Sequence, residues 1–242
     1  MWALCKKEFR QYFSNLTGYL AIAVFLLLNG LLLFVFSNFN ILDYGYASLD
    51  NFFNLAPFVL LVLIPAVTMR LLPDEWRSGT MEVLQTRPLT TRQIVLGKYL
   101  AALLVVLMAL VPTLVYYISM RLLAETGTPP DAGGTLGSYL GLVLLGACFT
   151  AITLAVSSYT QNAIVAFLLG AFACLALYSG PQAISSLPWL QNGADYYIQQ
   201  LGLDWHYRSI ARGVVDSRDL VYFASLLVFF LFITMQRLRT KP

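Results

Sequence analysis

The densest group of side chains that could do chemistry lies in one polar stretch, residues 73–88, between two apolar runs. It holds three carboxylates and two guanidinium groups: Asp74, Glu75, Glu82, Arg77 and Arg87. A proline stands at each end, and the length is enough for a short helix. Charges of both signs fix register when one protein docks on another. The stretch is therefore predicted to be either a helix that docks a partner or a solvated connector.

Motifs for catalysis and for metal binding are absent from the sequence. Gly97-Lys98 lacks the upstream glycine and the following Ser or Thr of a phosphate-binding loop, and neither H-E-x-x-H nor G-x-S-x-G occurs. The three cysteines are far apart and form no C-x-x-C pair: Cys5, Cys148 and Cys174. His206, the single histidine, lies in an aromatic stretch that favours a structural role. The chain is predicted not to be an enzyme and to hold no cofactor or metal of its own.

The composition indicates a membrane protein. Hydrophobic residues make up 59% of the chain and charged residues 11%, whereas soluble domains carry about 25% charged residues. Six apolar runs approach or exceed the roughly 20 residues that a bilayer span needs: 18–36, 52–72, 94–120, 139–156, 163–180 and 220–235. The predicted fold is an all-α membrane protein with six transmembrane helices, forming a domain over residues 17–236.

Ionisable residues are nearly missing from these runs. Only Arg70 and Lys98 occur in them, and both stand near the ends. Ionisable groups inside the membrane mark proton relays and ion-coupled carriers. Their scarcity argues against an ion-coupled carrier, so the energy for any transport is expected to come from a partner.

The segments that flank the spans have distinct patterns. Residues 1–16 are basic and amphipathic, which predicts an interfacial helix. Residues 183–216 are too polar to span and are predicted to form short helices outside the membrane. Thr90 and Gln93 have the spacing of a capping box, so a new helix is expected to begin there. Residues 237–242 are predicted to be a cytoplasmic tail.

The positive charges are distributed unequally between the two sides of the six-span arrangement. Eleven of the fifteen Lys and Arg residues fall on the side that carries both termini and the polar stretch. By the positive-inside rule this side is cytoplasmic. Small residues also recur along the fourth and fifth runs, where membrane helices can approach closely. This stripe predicts either a dimer seam or packing within the chain.

Three runs in and after the polar stretch form one pattern: Glu75-Trp-Arg-Ser-Gly-Thr-Met-Glu-Val-Leu, the following Arg-Pro-Leu-Thr, and Ile-Val-Leu-Gly-Lys98. Together they resemble the E-x-x-x-G-T-x-E-x-L…P-x…I-x-x-x-K pattern of type-2 ABC transporter permeases. The loops over residues 1–8, 39–50 and 206–219 are similar to those of the gliding-motility-associated permease family GldF of Bacteroidetes-type bacteria. The resemblance extends over nearly the whole chain.

This resemblance implies a multi-pass protein of the bacterial inner membrane, with both termini cytoplasmic and a coupling helix at residues 73–88, between spans 2 and 3. It implies a cytoplasmic ABC ATPase of the GldA type, which would bind ATP and Mg²⁺. A second membrane half would be another copy or an accessory subunit of the GldG type, and no nucleic-acid partner is expected. The implied coupling positions are Glu75, Gly79, Thr80, Glu82, Leu84, Arg87 and Pro88.

Two functions follow from these observations. The first is a permease subunit that couples ATP hydrolysis by its partner to export or force transfer. The second is a membrane scaffold that anchors envelope machinery for motility or secretion without transport, through the aromatic segment 183–216. A reconstituted complex that binds an envelope protein but moves no candidate substrate would favour the second.

Overall fold

A computed structural model describes residues 1–36, 48–82, 90–123, 131–188, 193–213 and 216–240. Within these ranges the secondary structure consists of helices and turns, with no β-strand. The all-α prediction therefore agrees with the structure over the described part of the chain.

The helices are numbered here in chain order. They are α1 (Trp2–Ser14), α2 (Thr17–Phe34), α3 (Asp50–Thr68), α4 (Pro73–Arg77), α5 (Thr91–Leu110), α6 (Leu114–Leu123), α7 (Ala132–Ser157), α8 (Ala163–Tyr178), α9 (Gly180–Ser185), α10 (Ala194–Gln199), α11 (Leu203–Ala211) and α12 (Ser217–Thr240). A 3₁₀ turn at Val111–Thr113 joins α5 to α6 and contains Pro112, where the sequence predicts a bend.

Five helical stretches are long and apolar enough to cross a membrane: Thr17–Phe34, Asp50–Arg77, Thr91–Leu122, Ala132–Ser157 and Ser217–Thr240. They correspond to five of the six predicted spans. The remaining run forms α8, an apolar helix of 16 residues, which is shorter than the usual span. The count of six spans stays a prediction.

Side-chain caps start several of these helices. Thr90 accepts a hydrogen bond from the Gln93 backbone N–H, and the Gln93 side chain accepts one from the Thr90 N–H, so the predicted capping box is confirmed. The side chains of Asp131 and Asn162 cap α7 and α8 in the same way. Each cap satisfies a backbone donor that the helix itself leaves unpaired.

The helix α7 forms the centre of the bundle. It contacts α3, α5, α8, α11 and α12. In its apolar window 78% of the residues are buried, against 22% in α2 and in α12. The outer helices α2 and α12 therefore present most of their apolar surface to the surroundings.

Two glycines of α7 allow α11 to pack directly on it. A Cβ atom at Gly137 would lie 2.6 Å from the Ile210 carbonyl oxygen, and one at Gly141 would lie 3.0 Å from the Tyr207 ring. A larger residue would push the two helices apart. At these two positions the small-residue stripe serves packing within the chain.

The sequence predicts a cytoplasmic tail at 237–242, and that location stays a prediction. The helix α12 itself continues to Thr240. Helical hydrogen bonding therefore extends beyond the apolar run, because a helix can end in a charged turn that carries Arg237 and Arg239.

Candidate coupling site

The polar stretch begins with α4, directly after the turn that ends α3. Pro73 occupies the first turn of α4, where the missing N–H costs nothing. Asp74 and Glu75 lie in the same turn, close to the positive end of the helix dipole, and Arg77 lies in the last turn. This arrangement of charges favours a short helix at this point.

The predicted coupling helix over 73–88 is not one continuous helix in its described part. α4 ends at Arg77, Gly79 has a positive φ of 70°, and residues 80–82 are helical again. Leu84, Arg87 and Pro88 lie outside the described residues. Gly79 follows the C-cap residue Ser78, a position where glycine adopts the left-handed conformation without steric cost.

Hydroxyl groups stabilise this break. Ser78 Oγ donates to the Asp74 carbonyl at 2.7 Å and lies 2.8 Å from Thr80 Oγ1. Both Ser78 and Thr80 are exposed. The predicted coupling positions Gly79 and Thr80 thus form a turn that changes the direction of the chain after α4.

The side chain of Glu75 points into the protein. Its Oε1 lies 2.8 Å from Lys98 Nζ, and its side chain is 13% exposed. Lys98 stands on α5, and its side chain is 1% exposed. The charge pattern of the sequence suggests a Glu75 that faces a partner protein, whereas the structure pairs it with a residue of the same chain.

Lys98 has three hydrogen-bond acceptors, as many as an ammonium group can use. Besides Glu75, they are the Leu71 carbonyl oxygen at 2.7 Å and Glu8 Oε1 at 3.3 Å. A buried cation is tolerated when it is paired and fully hydrogen-bonded. Glu8, Lys98 and Glu75 are called the charge cluster below.

Glu8 connects the N-terminal helix to this cluster. It is 6% exposed and lies on α1, which packs against α5. Sequence analysis did not identify Glu8 as a site residue. The sequence does contain an indication of this role: Glu8 is a carboxylate on the face of α1 that also carries Leu4, Cys5 and Tyr12, and a charge on a packed face needs a partner.

Two further contacts fix α1. The Tyr12 hydroxyl donates to the Val67 carbonyl, near the end of α3, at 2.8 Å. Burial, with a smaller contribution from the negative charge of Glu8, raises the pKa of Tyr12 well above its ordinary value, so the hydroxyl remains a donor. A Cβ atom on Gly97 would lie 3.1 Å from Leu4, so the absence of a side chain allows α1 to approach α5 closely.

A cavity of about 620 Å³ lies beside the charge cluster, between α1 and the α3–α4 turn. Charged residues of both signs line it, among them Lys7, Arg70 and Asp74. Glu75 Oε2 is buried and accepts no hydrogen bond. The outer side of the cluster therefore borders a space that another group can enter.

Comparison with protein families identifies the kind of protein. Residues 2–238 match the family described as ABC-2 family transporter protein. The chain belongs to the ABC-2 transporter family. Among curated proteins no match is found. Members of this family are membrane subunits that pair with an ABC ATPase and with a membrane partner, and they are not themselves catalytic.

In this ABC-2 family member, the described exposed residues of the polar stretch are polar ones or glycine. Arg77, Thr80 and Glu82 are exposed, whereas Met81 is only 1% exposed and belongs to the hydrophobic core. Met81 is therefore not available as an apolar contact for a partner. The described surface available to a partner is polar, with Asp74 and Glu82 as its acidic groups.

Proposed function

We propose that the chain is the transmembrane permease subunit of an ABC transporter, in which a separate cytoplasmic ATPase drives export or force transfer. The partner docks on the exposed surface around Arg77, Thr80 and Glu82. Its movement passes to the membrane helices through Glu75 and Lys98. The observation that carries this proposal is the charge cluster, which connects the docking surface to α1 and α5.

The cluster supports this role because one ammonium group holds three separate segments. Glu75 belongs to α4, Glu8 to α1 and the Leu71 carbonyl to the turn before α4. Displacing α4 alone would break the buried Glu75–Lys98 pair, and the ammonium group would keep only Glu8, at 3.3 Å, as its counter-charge. A shift of α4 is therefore transmitted to α1 and α5 rather than absorbed at the contact.

Charge and geometry together support a cytoplasmic location for the cluster. The cluster and Tyr12 lie at the end of α3, on the side where most of the Lys and Arg residues fall. Cytoplasmic segments carry this excess of positive charge. The proposal therefore places the cluster and both termini in the cytoplasm of a bacterial cell, at the inner membrane, with six spans between them.

The loop sequences that are similar to GldF extend the proposal to a gliding-motility-associated complex. The ATPase would then be of the GldA type, and the second membrane half another copy or a GldG-type subunit. Affinity purification of the full chain from its native membranes tests this. Recovery of an ABC ATPase of the GldA type and of a second membrane subunit supports the motility assignment. Recovery of an ABC ATPase together with the subunits of a different transporter contradicts the link to motility but not the role as a permease subunit.

Photocrosslinking tests the docking surface directly. A photoreactive amino acid at position 82 is expected to capture the ATPase in native membranes. The same amino acid at position 197 is the control, because Tyr197 is 72% exposed and lies at the other end of the bundle. Equal capture from the two positions, or capture from 197 alone, would rule out the docking surface.

ATPase stimulation tests the coupling. In a reconstituted complex, Glu82→Arg is expected to abolish stimulation by the permease while the variant still inserts and folds. Arg212→Glu is the matched charge reversal at the opposite end and is expected to leave stimulation unchanged. Full stimulation with Glu82→Arg contradicts the proposed function.

A further inference from the structure

His206 lies at the end of the bundle opposite the charge cluster. It stands on α11, next to Tyr207, whose hydroxyl donates to the Phe53 carbonyl near the start of α3 at 2.7 Å. The charge cluster, by contrast, adjoins the end of α3. α3 has 19 residues, so the two sites are separated by about 28 Å along its axis.

Both ring nitrogens of His206 face hydrogen-bond acceptors. Nδ1 lies 2.6 Å from Asp219 Oδ1 on α12, and Nε2 lies 2.9 Å from the carbonyl oxygen of Gln200. The imidazole also stacks on Tyr222, with the ring centroids 3.9 Å apart. The side chains of His206 and Asp219 are 12% and 7% exposed, so water cannot readily replace either contact.

These contacts require two protons, whichever residue carries them. A ring with hydrogens on both nitrogens satisfies them against a carboxylate, and so does a neutral ring against a protonated Asp219. With only one proton in the group, one nitrogen directs a lone pair at an oxygen atom. Both hydrogen bonds of the ring are therefore made only in the doubly protonated state.

The other ionisable groups around α11 are engaged elsewhere. On α11 itself, Asp204 pairs with Arg208 at 2.9 Å and interacts with Tyr178 of α8. From α7, Cys148 donates to the Phe223 carbonyl. From α12, Tyr222 stacks on the His206 ring, and its hydroxyl donates to the Leu201 carbonyl. Among the described residues, Asp219 is the charged side chain in hydrogen-bond contact with the ring.

We propose that His206, Asp219 and the Gln200 carbonyl form a proton-dependent latch, which holds the turn after α10 against α12 and releases it when one proton is lost. The remaining proton stays between His206 and Asp219, because a hydrogen bond to a carboxylate is stronger than one to a carbonyl. The Gln200 contact is then the one that opens. This latch is independent of the docking surface and of the ATPase.

The turn that the latch holds connects α10 to α11. Leu201, within this turn, also accepts the hydrogen bond from Tyr222 at 2.6 Å. Opening the Gln200 contact leaves Tyr222 as the remaining hydrogen-bonded attachment of the turn to α12 among the described residues. The expected result is local release of residues 194–203, while Tyr207 keeps α11 attached to α3.

Hydrogen–deuterium exchange of the full chain in nanodiscs measures this release. After correction for the intrinsic effect of pH, exchange of residues 194–203 is expected to rise on the order of tenfold between about pH 5 and about pH 9. Exchange of residues 147–157, in the C-terminal half of α7, is the internal reference and is expected to stay constant.

Two variants separate the latch from a general loss of stability. In Asp219→Asn, the amide can donate to Nδ1 while Nε2–H donates to Gln200, so a neutral ring satisfies both contacts. This variant is expected to exchange slowly at every pH. His206→Phe retains a ring for stacking on Tyr222 but makes neither hydrogen bond, and fast exchange at every pH is expected.

Nitrogen-15 spectra of histidine provide a readout that does not depend on the variants. The chain has one histidine, so labelled histidine gives a single pair of ring signals. A change in these signals at the same pH as the rise in exchange supports the latch. Ring signals that stay constant over this pH range, or change without a rise in exchange, overturn it, as does a rise in Asp219→Asn equal to that of the wild type.

Discussion

Lys98 and Glu75 form a buried ion pair, with Nζ 2.8 Å from Oε1, that joins α5 to α4. Glu8 of α1 shares the same ammonium group at 3.3 Å. The pair thus connects the exposed polar surface around Glu82 with α1 and α5. This connection is the physical basis of the proposed coupling, and the predictions below test its parts.

Lys98→Met is expected to lower the free energy of unfolding by about 3–5 kcal/mol, because it leaves the Glu75 carboxylate buried without its ion-pair partner and leaves Glu8 paired only with the exposed Lys7, at 3.3 Å. Thermal unfolding of the purified variant measures the loss. Arg92→Met, an exposed cation on the same helix, is the control and is expected to change little. The triple variant Glu8→Gln, Glu75→Gln, Lys98→Met is expected to recover most of the stability, and a failure to recover would show that charge is not the cause.

Tyr12→Phe is expected to cost about 1 kcal/mol, because the Val67 carbonyl loses its hydrogen bond. Hydrogen exchange of residues 1–16 is expected to rise, since this bond attaches α1 to α3. Tyr19→Phe removes a hydroxyl from a ring that is 57% exposed and serves as the control. Equal effects of the two substitutions would contradict a specific role for the Tyr12 contact.

Gly79→Ala is expected to destabilise the turn after α4 by about 1 kcal/mol, because a φ of 70° is unfavourable for a residue with a side chain. The surrounding space is open, with no atom within 4 Å of a Cβ at this position, so the cost is one of backbone conformation. Gly79→Asn is expected to be milder, since asparagine tolerates this region. ATPase stimulation by the two variants measures the difference, and equal loss in both would point to the side chain instead of the backbone.

Gly141→Val is expected to cost about 1–3 kcal/mol by overpacking, because its Cβ would lie 3.0 Å from the Tyr207 ring. Exchange of residues 203–211 is expected to rise as α11 moves away from α7. Gly30→Val is the matched control in another span, where a Cβ would meet its nearest neighbour at 3.9 Å. Similar stability of the two variants would show that α11 does not depend on this close approach.

Several features could be read from local sequence. The apolar runs predict the long helices because their length and composition act along a single segment. The capping box at Thr90 predicts a helix start because it needs only residues three positions apart. The position of the polar stretch can be predicted as well, because the two apolar runs on either side of it are visible in the local sequence.

The residues that carry the site depend on contacts that are distant in sequence. Lys98 meets Glu8 across 90 residues, and its third acceptor is the carbonyl of Leu71, which no side-chain pattern indicates. His206 likewise finds Asp219 on another helix. Sequence by itself determined five long apolar helices, the helix start at Thr90 and the location of the polar stretch, because these follow from neighbouring residues. Only the tertiary structure decided that Glu75 faces inward and Glu82 outward, because a buried charge goes where packed helices supply its counter-charge and hydrogen-bond acceptors.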